Sequence, residues 1–599
     1  MKIAVRGVVA RLGLLVSALS VCSLSMVATA ALPVSVAAGA TSGPTSEPGS
    51  VAPGRGDGPG PTFLTRFVAR DPGVPVAVAG TVVLRADECA SRLVVAREGA
   101  GTVREVVPPE LACDEGYMRY ELDTAALEAN VPHTAEIHDA TGEVTDRIAF
   151  TPVARVRGVV PALPKGVYVT NGWADAPVAA GLRYIEEVRG AVPVWVQGIA
   201  VIVAWRTLQP DPSLPLDTAR IDEALDYAER QRLLRGGLPL PTIFIVKAGD
   251  YATPTWYYQR LGRPAYHFPG GEGVGTLPWD YVMGDLFAAV TSQIAARYDG
   301  RAEYPDFAGI YLSGAGTPHY PEMWSSRPTR CGVWNADVGV LGRIDYADFT
   351  WDPPGCPVQP ALPDPLKQAE AYVSTTRLMA SQFTRTTLIA MLDVTPPAEG
   401  RNRTTTAMEH ILDQGFDTVF GDAADRYTVG VTNPGRHTFD PNNHNFREKD
   451  WHKYRVLAAY AERHPVFRLM ELGPTQFGPP PVEGSGTPGW YLPTADPAAD
   501  RYAMREVVRY CAGPAEDDPN RYERYVDADA DGADDFDVAC DGMIIHRTNL
   551  DAAYRVHQWV FDRCTVWQAA WDVWTDSTPP VPTTGDYCEE PAPARPPAR

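Results

Sequence analysis

The sequence predicts an α/β protein, a (β/α)8 TIM barrel preceded by a small all-β sandwich domain. Two textures in the chain lead there. From residue 160 onward, short apolar runs alternate with longer helical patterns, as βα units do. Residues 61–158 instead carry short alternating runs separated by turn residues at the spacing of a sandwich. A length of 599 residues exceeds one ordinary domain and suffices to bury a large core.

In chain order, residues 1–30 have the layout of a signal peptide. Lys2, Arg6 and Arg11 precede an apolar run from Leu12 to Val27, and Ala28-Thr29-Ala30 offers small residues for cleavage. The run is shorter than the ~20 apolar residues of a membrane span and is broken by serines. Cys22 follows Val21, where a lipoprotein site needs a small residue, so lipidation is not expected. Residues 31–60 are rich in Ala, Ser, Gly and Pro and read as a flexible linker, its Arg55-Gly56-Asp57 triplet as a chance occurrence. The expected sandwich strands lie in PVAVAGTVVLR, SRLVVARE, YMRYELD, HTAEIHD and DRIAFTPV. That domain carries nothing catalytic and serves equally as a carbohydrate-binding module or a spacer.

The barrel is expected over 160–575. Its eight strands are GVYVTN from Gly166, GIAVIVAW from Gly198, PTIFIVKAG from Pro241, FAGIYLSG from Phe307, TTLIAMLDV from Thr386, FDTVFGD from Phe416, VFRLMELG from Val466 and GMIIHRT from Gly542. Continuous apolar runs rich in β-branched residues suit strands covered on both faces. Two clear helical segments are Thr218–Leu233 and Tyr281–Tyr298. Insertions at 325–365 and 473–541 follow strands four and seven, on the face where a barrel carries out chemistry. Residues 576–599 form a Pro-rich tail.

A net charge of −21 argues against nucleic acid as a partner and fits a secreted protein. No stretch after the leader is long and apolar enough to span a bilayer; 192–205 comes nearest and contains Gln197. Beyond Cys22, eight cysteines remain. Their sequence-local order suggests the disulfides Cys89–Cys113, Cys331–Cys356, Cys511–Cys540 and Cys564–Cys588. There is no CxxC and no zinc spacing.

The stretch DFAGIYLSGAGTPHYPEMW, Asp306–Trp324, reads as one buried strand running into a Gly-rich loop that delivers Glu322. Other acids at expected strand ends are Asp250, Asp393, Asp422 and Glu471. Cleavage of a glycosidic bond needs two carboxyls flanking it, about 5–5.5 Å apart when configuration is retained. Strands four and seven lie on opposite sides of an eight-stranded barrel, which favours Glu322 and Glu471 as the pair.

Three further stretches, WRTLQPDPSLPLDTARIDEALDYA, Pro254-Thr255-Trp256 and LPWDYVMGDLFAAVTSQIAARYDG, make residues 165–560 resemble the clan-A retaining glycoside hydrolases. The resemblance implies Glu322 as acid/base after strand four and Glu471 as nucleophile at the end of strand seven. Pro321 stands where many members place Asn directly before the acid/base. Arg206 is a candidate to hold the nucleophile ionised, and His546 a candidate helper on strand eight, with His319 behind it. Trp173, Trp205, Trp256, Tyr257, Trp324 and Trp490 are candidate stacking platforms for the apolar faces of an oligo- or polysaccharide.

Residues Asp527–Asp537, DADADGADDFD, follow the first half of an EF-hand-type loop, with Asp527, Asp529 and Asp531 alternating before Gly532. Val538 occupies the twelfth position, so Asp535 or Asp537 substitutes for the usual bidentate Glu. The expectation is a structural Ca²⁺ and no catalytic cofactor. Asn402-Arg403-Thr404 is a chance-level glycosylation triplet, and no phosphate loop, dinucleotide fingerprint or GxSxG elbow occurs. A non-catalytic carbohydrate-binding or cell-surface protein on a barrel scaffold stands as the alternative.

Overall fold

In YMRYELD, Met118, Tyr120 and Leu122 are buried between more exposed neighbours, as a strand with one covered face requires. The computed structural model describes residues 62–71, 73–87, 89, 92–97, 101–106, 113–114, 117–154, 160–171, 191–192, 196–249, 252–267, 274–277, 280–312, 315–316, 330–335, 348–356, 365–392, 427–432, 460, 464, 467–472, 525–526, 536–537 and 541–546. The expected leader, linker and tail lie outside these residues.

The N-terminal strands are β1 (Val76–Val78), β2 (Thr81–Ala86), β3 (Arg92–Arg97), β4 (Gly101–Val106), β5 (Cys113–Asp114), β6 (Tyr117–Asp123), β7 (His133–His138) and β8 (Val144–Pro152). They form one sheet in the order β1-β8-β7-β3-β4 and another in the order β2-β6-β5. All described pairs within them are antiparallel except β1 with β8. The sheets share one core: Leu84, Tyr120 and Leu122 from the smaller meet Leu93, Val95, Ile137 and Phe150 from the larger.

The barrel half begins with β9 (Gly166–Thr170), β10 (Val196–Ala204), α1 (Trp205–Leu208), α2 (Ala219–Leu234) and β11 (Thr242–Gly249). It continues with α3 (Thr255–Gln259), β12 (Ala265–His267), β13 (Val274–Gly275), α4 (Tyr281–Tyr298) and β14 (Phe307–Tyr311). Then follow β15 (Ala315–Gly316), β16 (Arg330–Trp334), β17 (Phe349–Trp351), α5 (Pro365–Gln382) and β18 (Thr387–Leu392). Last come β19 (Tyr427–Thr432), β20 (Phe467–Leu472), β21 (Tyr525–Val526), β22 (Phe536–Asp537) and β23 (Gly542–His546).

Eight parallel pairings close a ring in the order β9, β10, β11, β14, β18, β19, β20, β23 and back to β9. Carrying the register once around that ring returns to β11 about eight residues further along, the shear of a (β/α)8 barrel. The continuous apolar runs form buried strands, with β9 and β11 buried at every residue. Helix α4 has the predicted bounds and starts where Asp280 accepts from the Val282 and Met283 backbone N–H groups.

One strand differs from expectation. The sixth place in the ring, between β18 and β20, is taken by Tyr427–Thr432. The expected segment 416–422 lies outside the described residues, and Asp422 precedes the sixth strand in the chain. YTVGVT has the stronger claim physically: four of its six residues are β-branched, whereas FDTVFGD carries two aspartates.

Inside the ring the side chains stack in layers drawn from alternate strands. Tyr168, Ile243, Ile389 and Leu469 share one level, and Ala200, Tyr311, Gly430 and Ile544 the next. The larger core lies outside the barrel wall, where Val201, Val203, Phe244 and Val246 meet Ile221, Leu225, Phe287 and Val290 of the helices.

The N-terminal sheets are fastened to the barrel helices. Ser292 of α4 accepts from the Ala79 N–H (3.0 Å) and donates to its carbonyl (2.7 Å). Gln382 of α5 donates to the Thr81 carbonyl at 3.0 Å, while Val83 packs on Ala288 and Leu378. Gly80 has φ +69°, and a Cβ there would stand 2.4 Å from the Ser381 carbonyl oxygen, so only glycine permits this approach. Asp285 on α4 accepts from Arg85 Nε at 2.6 Å and Arg119 Nε at 2.9 Å.

Candidate active site at the C-terminal end of the barrel

Chemistry on a parallel barrel is carried by the loops leaving the C-terminal ends of its strands. The third interior level, toward that end, consists of the register positions of Thr170, Ile245, Met391 and Glu471. Glu471 is the penultimate residue of β20 and pairs in register with Thr432 and Ile544. His546 ends β23, in register with Thr170. Two levels further out, Lys247 of β11 is 6% exposed, in the row begun by Ile243 and Ile245. Asn171, just past β9, accepts from the Ile202 N–H at 2.9 Å and donates to the Ile202 carbonyl at 3.3 Å. Its side-chain amide therefore continues the β9–β10 ladder to the rim.

The loop that leads to Glu322 starts at this rim. β15, six residues before Glu322, pairs with Ala248–Gly249 at the end of β11. Glu322 itself lies outside the described residues, as do Asp250, His319, Asp393, Trp173, Trp324 and Trp490. Arg206 sits half-buried on α1, its backbone N–H donating to the Ala252 carbonyl at 2.8 Å.

Three expected sugar platforms are corrected. Trp205, Trp256 and Tyr257 are 0%, 4% and 0% exposed, leaving no ring face open to a sugar. Trp205 meets Trp256 edge-on at 5.7 Å and Phe287 at 5.9 Å, inside the core between barrel wall and helices. Both indole N–H groups are used within the protein: Trp205 donates to the Gln209 side chain at 3.1 Å, Trp256 to the Gln209 carbonyl at 2.9 Å. Tyr257 donates to Asp280, which also accepts from Arg263 at 2.8 Å. Burial first, and Asp280 second, push the Tyr257 hydroxyl well above the usual phenol range. The rings follow strand ends in the sequence, but the chain turns them back against the helices.

The two insertions following strands three and four meet in one antiparallel sheet, ordered β13-β12-β16-β17. Cys331 of β16 is disulfide-bonded to Cys356, with Cα atoms 6.0 Å apart, and the two pack with Tyr266 and Leu277. On this sheet His267 pairs in register with Arg330, and the Trp351 ring lies edge-on to His267 at 6.1 Å. The Arg330 guanidinium stands over Trp351 at 5.0 Å. Burial, then the Arg330 charge, push the His267 imidazole below its ordinary value.

Cys89 is disulfide-bonded; its expected partner Cys113 lies on β5, with its side chain outside the described residues. Cys511, Cys540, Cys564 and Cys588 lie outside as well. The acidic stretch is bracketed by β21 and β22, which pair antiparallel, Tyr525 with Asp537 and Val526 with Phe536. Its residues Asp527, Asp529, Asp531 and Asp535 lie outside the described residues, as does the side chain of Asp537. Among the described residues no group of three or more His, Cys, Asp or Glu is placed to hold a metal, and no helix is long and apolar enough to cross a membrane.

Sequence reasoning missed Lys247. The signal was present: PTIFIVKAG places a lysine in an otherwise apolar buried strand, two residues beyond Ile245 and four beyond Ile243.

No family model and no curated protein matches the chain. Among solved structures, it is similar to the catalytic domain of β-amylase from Paenibacillus polymyxa at 9% identity and TM-score 0.36, over 65% of this chain and 94% of that one. It is similar to the β-galactosidase from the psychrophilic Marinomonas ef1 at 11% identity and TM-score 0.34, over 68% of this chain and 59% of that one. A third is a GH10 endoxylanase retrieved from a sugarcane soil metagenome, at 10% identity and TM-score 0.29, over 58% and 80% of the two chains. Likenesses this distant carry no residue-level correspondence; the closed ring of eight parallel strands is established by its own hydrogen-bonded register.

Proposed function

We propose that the protein is a secreted glycoside hydrolase that cleaves O-glycosidic bonds of an oligo- or polysaccharide with retention. Glu471 attacks the anomeric carbon and forms a glycosyl-enzyme. Glu322 protonates the departing oxygen and then, as base, activates the water that releases the sugar. The observation that carries this reading is the register of Glu471, at the last interior level of strand seven, where the lower levels are apolar. The strand-four loop toward Glu322 begins at the same rim, beside Gly249. His546 and Arg206 border the same end of the barrel. The acidic 527–537 loop holds a structural Ca²⁺, its ends joined by β21 and β22.

The test is a panel of aryl glycosides and polysaccharides assayed with wild type, Glu471→Gln and Glu322→Gln. Wild type is expected to turn over at least one substrate with retention, and Glu471→Gln to show none. Glu322→Gln is expected to lose roughly 10²- to 10⁴-fold on substrates with poor leaving groups. Full activity in either variant removes that residue from the mechanism. Sugar binding without turnover by wild type favours the non-catalytic carbohydrate-binding alternative.

A further inference from the structure

One face of the sheet built from the two insertions is buried at one end and open at the other. His267 pairs with Arg330 and Gly332 with Trp351, so these four share that face with Phe349. At the inner end Phe349 is buried and packs on Tyr258 of α3 at 5.6 Å, shortly after the end of β11. At the outer end the Trp351 ring lies over Gly332, where a Cβ would stand 2.9 Å from it; only glycine leaves the ring that place. The Arg330 guanidinium stands over the same ring, and its side chain is half exposed. Stacking fixes the plane of the fork and leaves its N–H edge open. Among the described residues this fork donates no hydrogen bond: Asp352 Oδ2 lies 3.7 Å from Arg330 Nε, beyond hydrogen-bond range. Asp352 has φ +55°, in the left-handed region, directly before Pro353, which ordinarily forces its predecessor into extended backbone. The Asp352 N–H donates to the Cys331 carbonyl at 2.7 Å, which holds the turn in place. Strain of this kind gathers where a side chain must be aimed at a ligand.

We infer that Arg330, Asp352 and the half-buried Trp351 ring form a saccharide-binding subsite on the insertion sheet, taking a neutral sugar through two neighbouring hydroxyls. The class of ligand rests on the saccharide reading above; the subsite itself requires no catalysis. A sugar hydroxyl both donates and accepts. Here the fork offers donors and the carboxylate acceptors, side by side. Their formal charges cancel, and burial, then the Arg330 charge, favour the neutral form of His267. Nothing in the cluster therefore prefers an anion to a neutral ligand. The indole supplies apolar surface for sugar C–H groups. The sheet is tied to the strand-three end of the barrel, from whose rim the loop toward Glu322 also starts. A sugar held on the sheet is thus accessory to the bond being cleaved.

Native affinity gels of the full chain at about pH 7.5, cast with arabinoxylan, mixed-linkage β-glucan, galactomannan or polygalacturonate, read the subsite without requiring activity. Wild type is expected to be retarded by at least one of the three neutral polymers. Arg330→Met and Asp352→Asn are each expected to weaken that binding about tenfold or more in Kd, because each removes a charged partner of the hydroxyls. Arg330→Lys keeps the charge without the fork and is expected not to restore it. Asparagine tolerates the left-handed backbone at 352, and both side chains reach solvent, so melting temperatures are expected to stay near wild type. Unaltered retardation in both variants, or no retardation of wild type by any neutral polymer, overturns the inference. Retardation by polygalacturonate alone, lost in Arg330→Met and strengthened in Asp352→Asn, overturns the neutral ligand. Collapse of the melting temperature in both variants shows the pair holding the sheet together and overturns the binding role. Retardation lost in the variants of a chain that cleaves no glycoside leaves the subsite standing and removes the hydrolase reading. Cleavage by a chain whose variants are retarded like wild type does the reverse.

Discussion

Gly198 shows how one residue shapes the barrel interior. A Cβ there would lie 2.5 Å from the Tyr168 ring and 2.6 Å from the Pro241 carbonyl oxygen. Its absence lets the Tyr168 ring fill the lowest layer while the hydroxyl donates to the Pro164 carbonyl at 2.7 Å. Gly198→Ala is therefore predicted to overpack the layer and cost about 1–3 kcal/mol in denaturant unfolding; an unchanged midpoint would contradict this packing. The requirement was invisible in the sequence, where GIAVIVAW reads as a strand with or without a special role for its first residue. Lys247 is the opposite case, legible from period-two counting alone. The tryptophans mark the limit of such counting: their position after strands was right, while their burial depends on which way the chain turns next.

At the scale of elements, the sheet built from the loops after strands three and four places His267 beside Arg330 and Trp351. Its imidazole titrates below the unfolded value of about 6.5 because burial, then the Arg330 charge, disfavour the cation. On acidification through that value the unfolded chain binds a proton that the folded chain resists, so this residue withdraws stability as pH falls. His267→Gln is predicted to reduce the fall in melting temperature between about pH 7.5 and 5.5. Arg330→Met is predicted to reduce it partly, by removing the second cause. Equal slopes in wild type and His267→Gln would refute this. The sequence marked 325–365 as an inserted loop with a disulfide; that its strands pair with the preceding insertion required long-range contacts that local patterns do not encode.

On the scale of the whole molecule, the N-terminal sheets are part of the barrel's outer layer rather than a bead on a string. Asp285 is 4% exposed and shared by Arg85 and Arg119, with Arg85 itself 1% exposed. Arg119 also pairs with Glu121 at 2.6 Å, and Glu121 with Arg377 of α5 at 2.7 Å. Burial opposes the Glu121 charge, yet the Arg377 and Arg119 guanidiniums hold its carboxyl below the ordinary range. Asp285→Ala leaves the buried Arg85 guanidinium uncompensated and is predicted to cost about 3–5 kcal/mol. Urea unfolding followed by both fluorescence and circular dichroism is predicted to show residues 62–153 and the barrel losing structure together. A separate early transition with an unaltered barrel would show the two to be independent.

By itself the sequence determined the fold class, seven of the eight barrel strands, helix α4 to the residue and the disulfide Cys331–Cys356. These follow from local periodicity, burial and cysteine spacing, all of which neighbouring residues encode. Tertiary structure alone decided the sixth strand, the burial of Trp205, Trp256 and Tyr257, the union of two insertions into one sheet and the fastening of the N-terminal sheets to α4 and α5. Each of those depends on which distant segments meet, and that choice is made by closing the ring and filling the space around it.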